Sequence, residues 1–195
     1  MAQPRRLVLA SGSAYRKALL ERLGLQFEVV APAVDEKPLP KESPENTALR
    51  LSVLKARALE KSHRGALIIG CDQVASSGAK RFGKPGDHAN AVRQLRELSG
   101  EAVDFHTALS LLDSRSNQLQ SRIVPCRVTF RVLDEARVEA YLRREQPYDC
   151  AGAARAEGLG IALISRIETE DPTSLIGLPL IALSEMLGRA GLPVL

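Results

Sequence analysis

The chain contains no tryptophan, and aromatic residues make up 4% of its 195 positions. No apolar run approaches the ~18 residues of a membrane span, so no membrane partner is expected. There are three cysteines (Cys71, Cys126 and Cys150), far apart and in no CxxC pattern. They fit reduced thiols in the cytoplasm and give no disulfide frame or zinc site. The three histidines have no ligand spacing, which also argues against zinc. No basic tract and no RNA-binding aromatic motif is present, so no nucleic-acid partner is expected. The first residues run from Arg5-Arg6 directly into a short strand, without the apolar core or cleavage site of a signal peptide.

What remains is an ordinary globular composition, with 45% hydrophobic and 26% charged residues and a net charge of +4. The length suits one domain spanning residues 1–195, large enough to bury a real core. The organising stretch is Ala66-Leu67-Ile68-Ile69-Gly70-Cys71-Asp72-Gln73. Its apolar run reads as a buried central strand that ends at Gly70 and delivers an acid and an amide. Ligands of open α/β sheets bind beyond such strand ends, which puts Asp72 at the mouth of a site. After a polar loop, Phe82-Gly83-Lys84-Pro85 offers a cation.

Leu7–Ala10 reads as a first strand, followed by Ser11-Gly12-Ser13 and a helix from Ala14 to Gly24. Ser13 is a plausible N-cap and Gly24 a C-terminal stop. A strand–turn–helix of this kind exposes hydroxyls and free N–H groups at a positive helix end, which is an anion cradle. Arg16 adds a guanidinium there. Taken alone, the turn is better explained by simple capping with a surface arginine. Further on, Val34-Asp35-Glu36 places two acids in a loop.

Ser43-Pro44-Glu45 opens another helix with a cap, a proline at the first position and an acid in the first turn. Ala48, Leu51, Leu54, Ala58 and Leu59 define its apolar stripe, and Lys55 sits in the middle of it. A lysine on a core-facing side needs an anion or a route for its head to reach water. Asp87 begins a third helix, Val103–Leu111 alternates as a strand, and Leu119–Phe130 returns from a hairpin with Pro125 at an edge or bulge. Asp134 caps a helix carrying Val138, Tyr141 and Leu142. Small residues from Cys150 to Ile161 surround Glu157, and Gly177-Leu178-Pro179 opens a final helix.

Taken in order, these signatures resemble the Maf nucleotide pyrophosphatases, and within them the YceF-like branch. They are Ser11-Gly12-Ser13-Ala14-Tyr15-Arg16, Val34-Asp35-Glu36, Leu54-Lys55-Ala56, Gly70-Cys71-Asp72-Gln73, Gly83-Lys84-Pro85, Cys150-Ala151-Gly152, Glu157-Gly158-Leu159-Gly160 and Gly177-Leu178-Pro179. The resemblance implies an α/β fold of the Maf/ITPase-like kind, with an elongated mixed sheet flanked by helices and two lobes around a central cleft. It implies hydrolysis of a nucleoside triphosphate to the monophosphate and pyrophosphate, with a divalent metal, Mg²⁺ or Mn²⁺. Residue by residue, it assigns Ser11, Ser13 and Arg16 to phosphate binding and Lys55 and Lys84 to catalysis on the phosphates. It makes Asp72 the proton acceptor and Glu36 the acidic loop residue; as the nearby carboxylates, Glu36 and Asp72 are the expected metal ligands.

Many family members carry proline and a basic residue after the second serine, where this chain has Ala14 and Tyr15. That change points away from thymidine- and uridine-type substrates. The YceF-like branch is associated with 7-methyl-GTP and carries an aromatic, a glutamine and a glutamate at its specificity positions. Here these are Tyr15, Gln73 and Glu157. A cationic N7-methylated base suits an aromatic face, at ~0.5–2 kcal/mol, and an ionised glutamate. A dTTP/UTP pyrophosphatase of the same family and a non-catalytic nucleotide-binding regulator of septum formation are the other readings. Family analogy also suggests a homodimer.

Overall fold

The computed structural model describes residues 5–78 and 80–195. Its described residues form seven strands and five α-helices. β1 (Leu7–Ala10) is fully buried and leads into α1 (Ala14–Glu21), where the Ser13 hydroxyl accepts from the Arg16 N–H as the expected cap. β2 (Glu28–Val29) is a two-residue strand. α2 (Pro44–Ala58) starts on Ser43, whose hydroxyl accepts from the Asn46 N–H, with proline at its first position.

β3 (Leu67–Ser77) is followed by β4 (Lys80–Phe82) and α3 (His88–Leu98), which Asp87 caps. β5 (Ala102–Asp113) and β6 (Gln118–Phe130) come next, then α4 (Glu135–Glu145), capped by Asp134. Two short 3₁₀ turns lead to β7 (Ile164–Thr169), and α5 (Leu180–Arg189) completes the described helices.

The sheet is mixed, with strand order β2-β1-β3-β5-β6-β7 and β4 paired to β3. β1 runs parallel to both β2 and β3, whereas β3–β4 and β6–β7 are antiparallel. The fold is therefore α/β with a mixed sheet, as expected. The chain divides into two compact units. Of the described residues, the first holds those up to Gln73, Thr107–Val124 and Asp171–Leu195; the second holds those of Val74–His106 and Pro125–Glu170.

In the first unit, side chains alternate across the sheet. Leu67, Ile69 and Cys71 of β3 pack with Leu19 and Leu20 of α1 and with Leu183 and Leu187 of α5. Ile68 faces the other way, with Ala56 of α2 and Leu59.

Three expectations are corrected here. β3 does not end at Gly70 but continues through Asp72 to Ser77. Gly70 instead allows a close approach: a Cβ there would collide with the Ser52 carbonyl oxygen and lie 2.8 Å from the Ala56 amide nitrogen. α2 thus crosses the strand nearly backbone to backbone. The buried stripe of α2 is rotated accordingly and contains Thr47, Ala48, Leu51, Ser52, Lys55 and Ala56, while Leu54 and Ala58 are exposed. In β5, the strict alternation gives way to burial on both faces from Thr107 to Leu112.

Candidate active site

The parallel register pairs Ala10 with Gly70, so the Ser11-Gly12-Ser13 turn and Cys71-Asp72 continue from neighbouring strand positions. Alternation then sends Asp72 to the α2 face and Cys71 and Gln73 to the opposite one. Each face carries part of the site.

On the α2 face, the Lys55 ammonium donates to Asp72 Oδ1 at 2.6 Å and lies 2.8 Å from Glu36 Oε1. Lys55 is 6% and Asp72 7% exposed, whereas the Glu36 side chain is 60% exposed. The lysine in the core-facing stripe thus has two carboxylates as its anions. An ammonium carries three donors, so one remains for an incoming anion. Burial pushes the Asp72 carboxyl above its ordinary value; the charge and hydrogen bond of Lys55 and the charge of Arg16 pull it down, and Glu36 pushes it up, without reversing the shift. The hydrogen bond from Lys55 is made to Oδ1 of Asp72.

On the other face, the carbonyl of Gly177 is the hub. It accepts from Arg16 Nε at 2.9 Å and from the Cys71 thiol at 3.0 Å. Arg16 Nη1 also reaches Ser11 Oγ at 3.4 Å, and that same oxygen accepts from the Ser13 N–H at 3.1 Å. The guanidinium is therefore held by its Nε edge, with donors left over for an anion at the serine turn. Burial raises the Cys71 thiol to about 11, which makes it an inert small core group.

Gln73 Nε2 donates to Thr107 Oγ1 at 2.8 Å, to the Ser174 carbonyl at 2.9 Å and to the Leu175 carbonyl at 3.1 Å. Two carbonyls can only face the amide nitrogen, so its oxygen is turned away as an acceptor.

Reading the sequence missed the segment that makes these contacts possible. Asp171 is 2% exposed and acts as a clamp. Its Oδ1 accepts from the Thr173 N–H at 3.1 Å and the Thr173 hydroxyl at 2.6 Å. Its Oδ2 accepts from the N–H groups of Ile181 at 2.8 Å and Ala182 at 3.3 Å. It thereby caps α5, whose formal cap, Pro179, has no capping side chain. The clamp fixes the turn whose carbonyls at 174, 175 and 177 hold Gln73 and Arg16. The only signal in the sequence was an Asp-Pro-Thr turn before the final helix.

The structure brings Ser11, Ser13, Arg16, Glu36, Lys55, Asp72 and Gln73 together within the first unit. Tyr15 is half-buried in the first turn of α1, beside Arg16. Lys84 and Glu157 belong to the second unit. Lys84 is exposed in the loop after β4. Glu157 is 3.3 Å from Arg155 Nε, and Arg155 in turn binds Glu145 at 2.9 Å. Among the described residues, no three His, Cys, Asp or Glu side chains gather to hold a metal. Glu36 and Asp72 instead supply two hard oxygen donors, which suits a cation that completes its shell with water and phosphate.

Anion donors at a strand–turn–helix, beside a buried ammonium and two carboxylates, are groups whose chemistry can take a phosphate on an α/β scaffold. The chain belongs to the family described as Maf-like protein, whose model matches residues 6–190. A "7-methyl-GTP pyrophosphatase" of Thiobacillus denitrificans is 59% identical over 97% of this chain and 94% of its own length. The protein of that name from Cupriavidus pinatubonensis is 56% identical over 96% of this chain and 94% of its own. Among solved structures, a HAM1 protein from Coxiella burnetii aligns with a TM-score of 0.45 and 15% identity over 65% of this chain and 73% of that one. No described helix is long and apolar enough to cross a membrane.

Proposed function

We propose that the protein hydrolyses 7-methyl-GTP to 7-methyl-GMP and pyrophosphate, removing a modified nucleotide. The observation that carries the chemistry is the buried Lys55 ammonium shared by Asp72 and Glu36, one strand away from the Ser11–Arg16 turn. The identities of 59% and 56% with proteins named for this reaction support the substrate.

In this reading, the hydroxyls of Ser11 and Ser13, the free donors of Arg16 and the third donor of Lys55 take the phosphate oxygens. Asp72, with its carboxyl raised by burial, accepts the proton of the attacking water. Glu36 and Asp72 would hold Mg²⁺ or Mn²⁺, and the bound cation would neutralise charge on the phosphates. Most of the acceleration then comes from positioning and charge stabilisation. The Gln73 oxygen, Tyr15 and Glu157 are assigned to the base, and Lys84 to the phosphates, on the resemblance. The reading carries a cytoplasmic location, no nucleic-acid partner and a homodimer as further expectations, with light scattering as the check on the last.

The test is pyrophosphate release from 7-methyl-GTP, GTP, UTP and dTTP, with and without Mg²⁺ or Mn²⁺. The expected result is metal-dependent turnover with the highest kcat/KM for the methylated base. Preference for UTP or dTTP would overturn the base assignment.

A further inference from the structure

In the second unit, three arginines stand apart from the rest. Every other described arginine there is engaged, with Asn90, Glu135, Asp104, Glu139, Glu145 and Glu168 among the partners. Arg131, Arg137 and Arg144 have no side-chain partner among the described residues, and all three line the same concavity of about 510 Å³. Its lining contains no carboxylate.

The geometry follows from α4. Arg137, Tyr141 and Arg144 lie at i, i+4 and i+7, on one helix face. Leu159, Ala162 and Leu163 of the neighbouring 3₁₀ turn complete the apolar lining. The Arg131 N–H donates to the Leu163 carbonyl at 2.8 Å, which ties the third arginine to that turn. Tyr141 is fixed, since its hydroxyl donates to the Ala153 carbonyl at 3.1 Å and accepts from the Arg155 N–H at 3.0 Å.

We propose that this concavity, lined by Arg131, Arg137, Arg144 and Tyr141, is a second binding site for a small organic phosphate. Three uncompensated guanidinium groups repel one another, and a phosphate relieves that repulsion while accepting paired N–H donors. The apolar lining takes the organic body, and the volume is that of small-molecule sites, ~300–1,000 Å³. None of these residues is assigned to the hydrolytic reaction, so the site stands independently of the proposed substrate.

The test uses GMP and inorganic phosphate as probes, titrated into the full chain and followed residue by residue through backbone NMR shifts. Saturating shifts are expected at Arg137–Arg144 and Leu159–Leu163, with GMP binding at least tenfold tighter than inorganic phosphate. In the double variant Arg137→Ala, Arg144→Ala, those shifts should require at least tenfold more GMP, while any shifts at Ser11–Arg16 persist. Both side chains are exposed, and a matching thermal melt confirms folding; Arg137→Gln alone serves if the double variant fails to fold. The proposal is overturned by shifts confined to Ser11–Arg16, by an unchanged titration in the variant, or by GMP binding no tighter than inorganic phosphate.

Discussion

Asp72 is subject to opposed influences: burial raises its carboxyl, and the Lys55 ammonium at 2.6 Å lowers it, with the first prevailing. A carboxyl raised in the folded state is favoured there in its neutral form. Its contribution to stability is therefore present below the unfolded value and lost as pH rises through the folded one. Asn at this position stays neutral throughout. The stability of the wild type relative to Asp72→Asn should thus decrease from acid to neutral pH, as paired denaturant melts would show. The same shift places the acidic limb of kcat/KM above the ordinary aspartate range. A limb at or below that range would count against Asp72 as the base. Cys71, the preceding residue on the strand, is a buried thiol raised to about 11 that donates to the Gly177 carbonyl.

At the scale of elements, the crossing of α2 over β3 decides where the site forms. A Cβ at Gly70 meets the backbone of α2, which cannot yield as a flexible side chain can. Gly70→Ala should therefore cost ~3 kcal/mol or more, the upper end for overpacking, and urea melts would measure it. If the loss is below ~1 kcal/mol, the helix is free to retreat and the close approach is not a constraint. The Asp171 clamp makes a different prediction. Asp171→Ala leaves two α5 N–H groups and both the N–H and the hydroxyl of Thr173 without their acceptor, at ~2–4 kcal/mol. Because its turn holds Arg16 and Gln73, the folded variant should show a KM raised several-fold with a smaller change in kcat. A loss confined to stability would make Asp171 structural alone.

These elements also show how far the sequence could be read. The caps at Ser13, Ser43, Asp87 and Asp134 depend on local hydrogen bonds and were legible. Lys55 stood out because a charge in an apolar stripe requires a partner. The length of β3 was not legible, because Gly70 has the same local signature whether it ends a strand or admits a helix. The Asp171 turn was also hidden, since its importance lies in the carbonyls of residues 174, 175 and 177, which reach Gln73 and Arg16 across long stretches of chain. β4 and β7 are short or highly exposed strands, set by pairing rather than by apolar pattern.

At the scale of the whole molecule, the net charge of +4 favours approach of polyphosphate anions and suits both the hydrolytic site and the arginine concavity. Added salt should therefore raise KM for a triphosphate more than it lowers kcat, since exposed charges are screened before buried ones. Nearly full-length identity of 59% and 56% with two proteins named 7-methyl-GTP pyrophosphatase supports a pyrophosphatase reading for the chain as a whole, and the proposed mechanism puts Lys55 and Asp72 at its centre. The most direct test is the rate of pyrophosphate release from 7-methyl-GTP by wild type and by Asp72→Asn, in samples with matched folding. Loss of the base should lower kcat by ~10²-fold or more while 7-methyl-GTP still binds. A variant within about threefold of wild type would contradict the account.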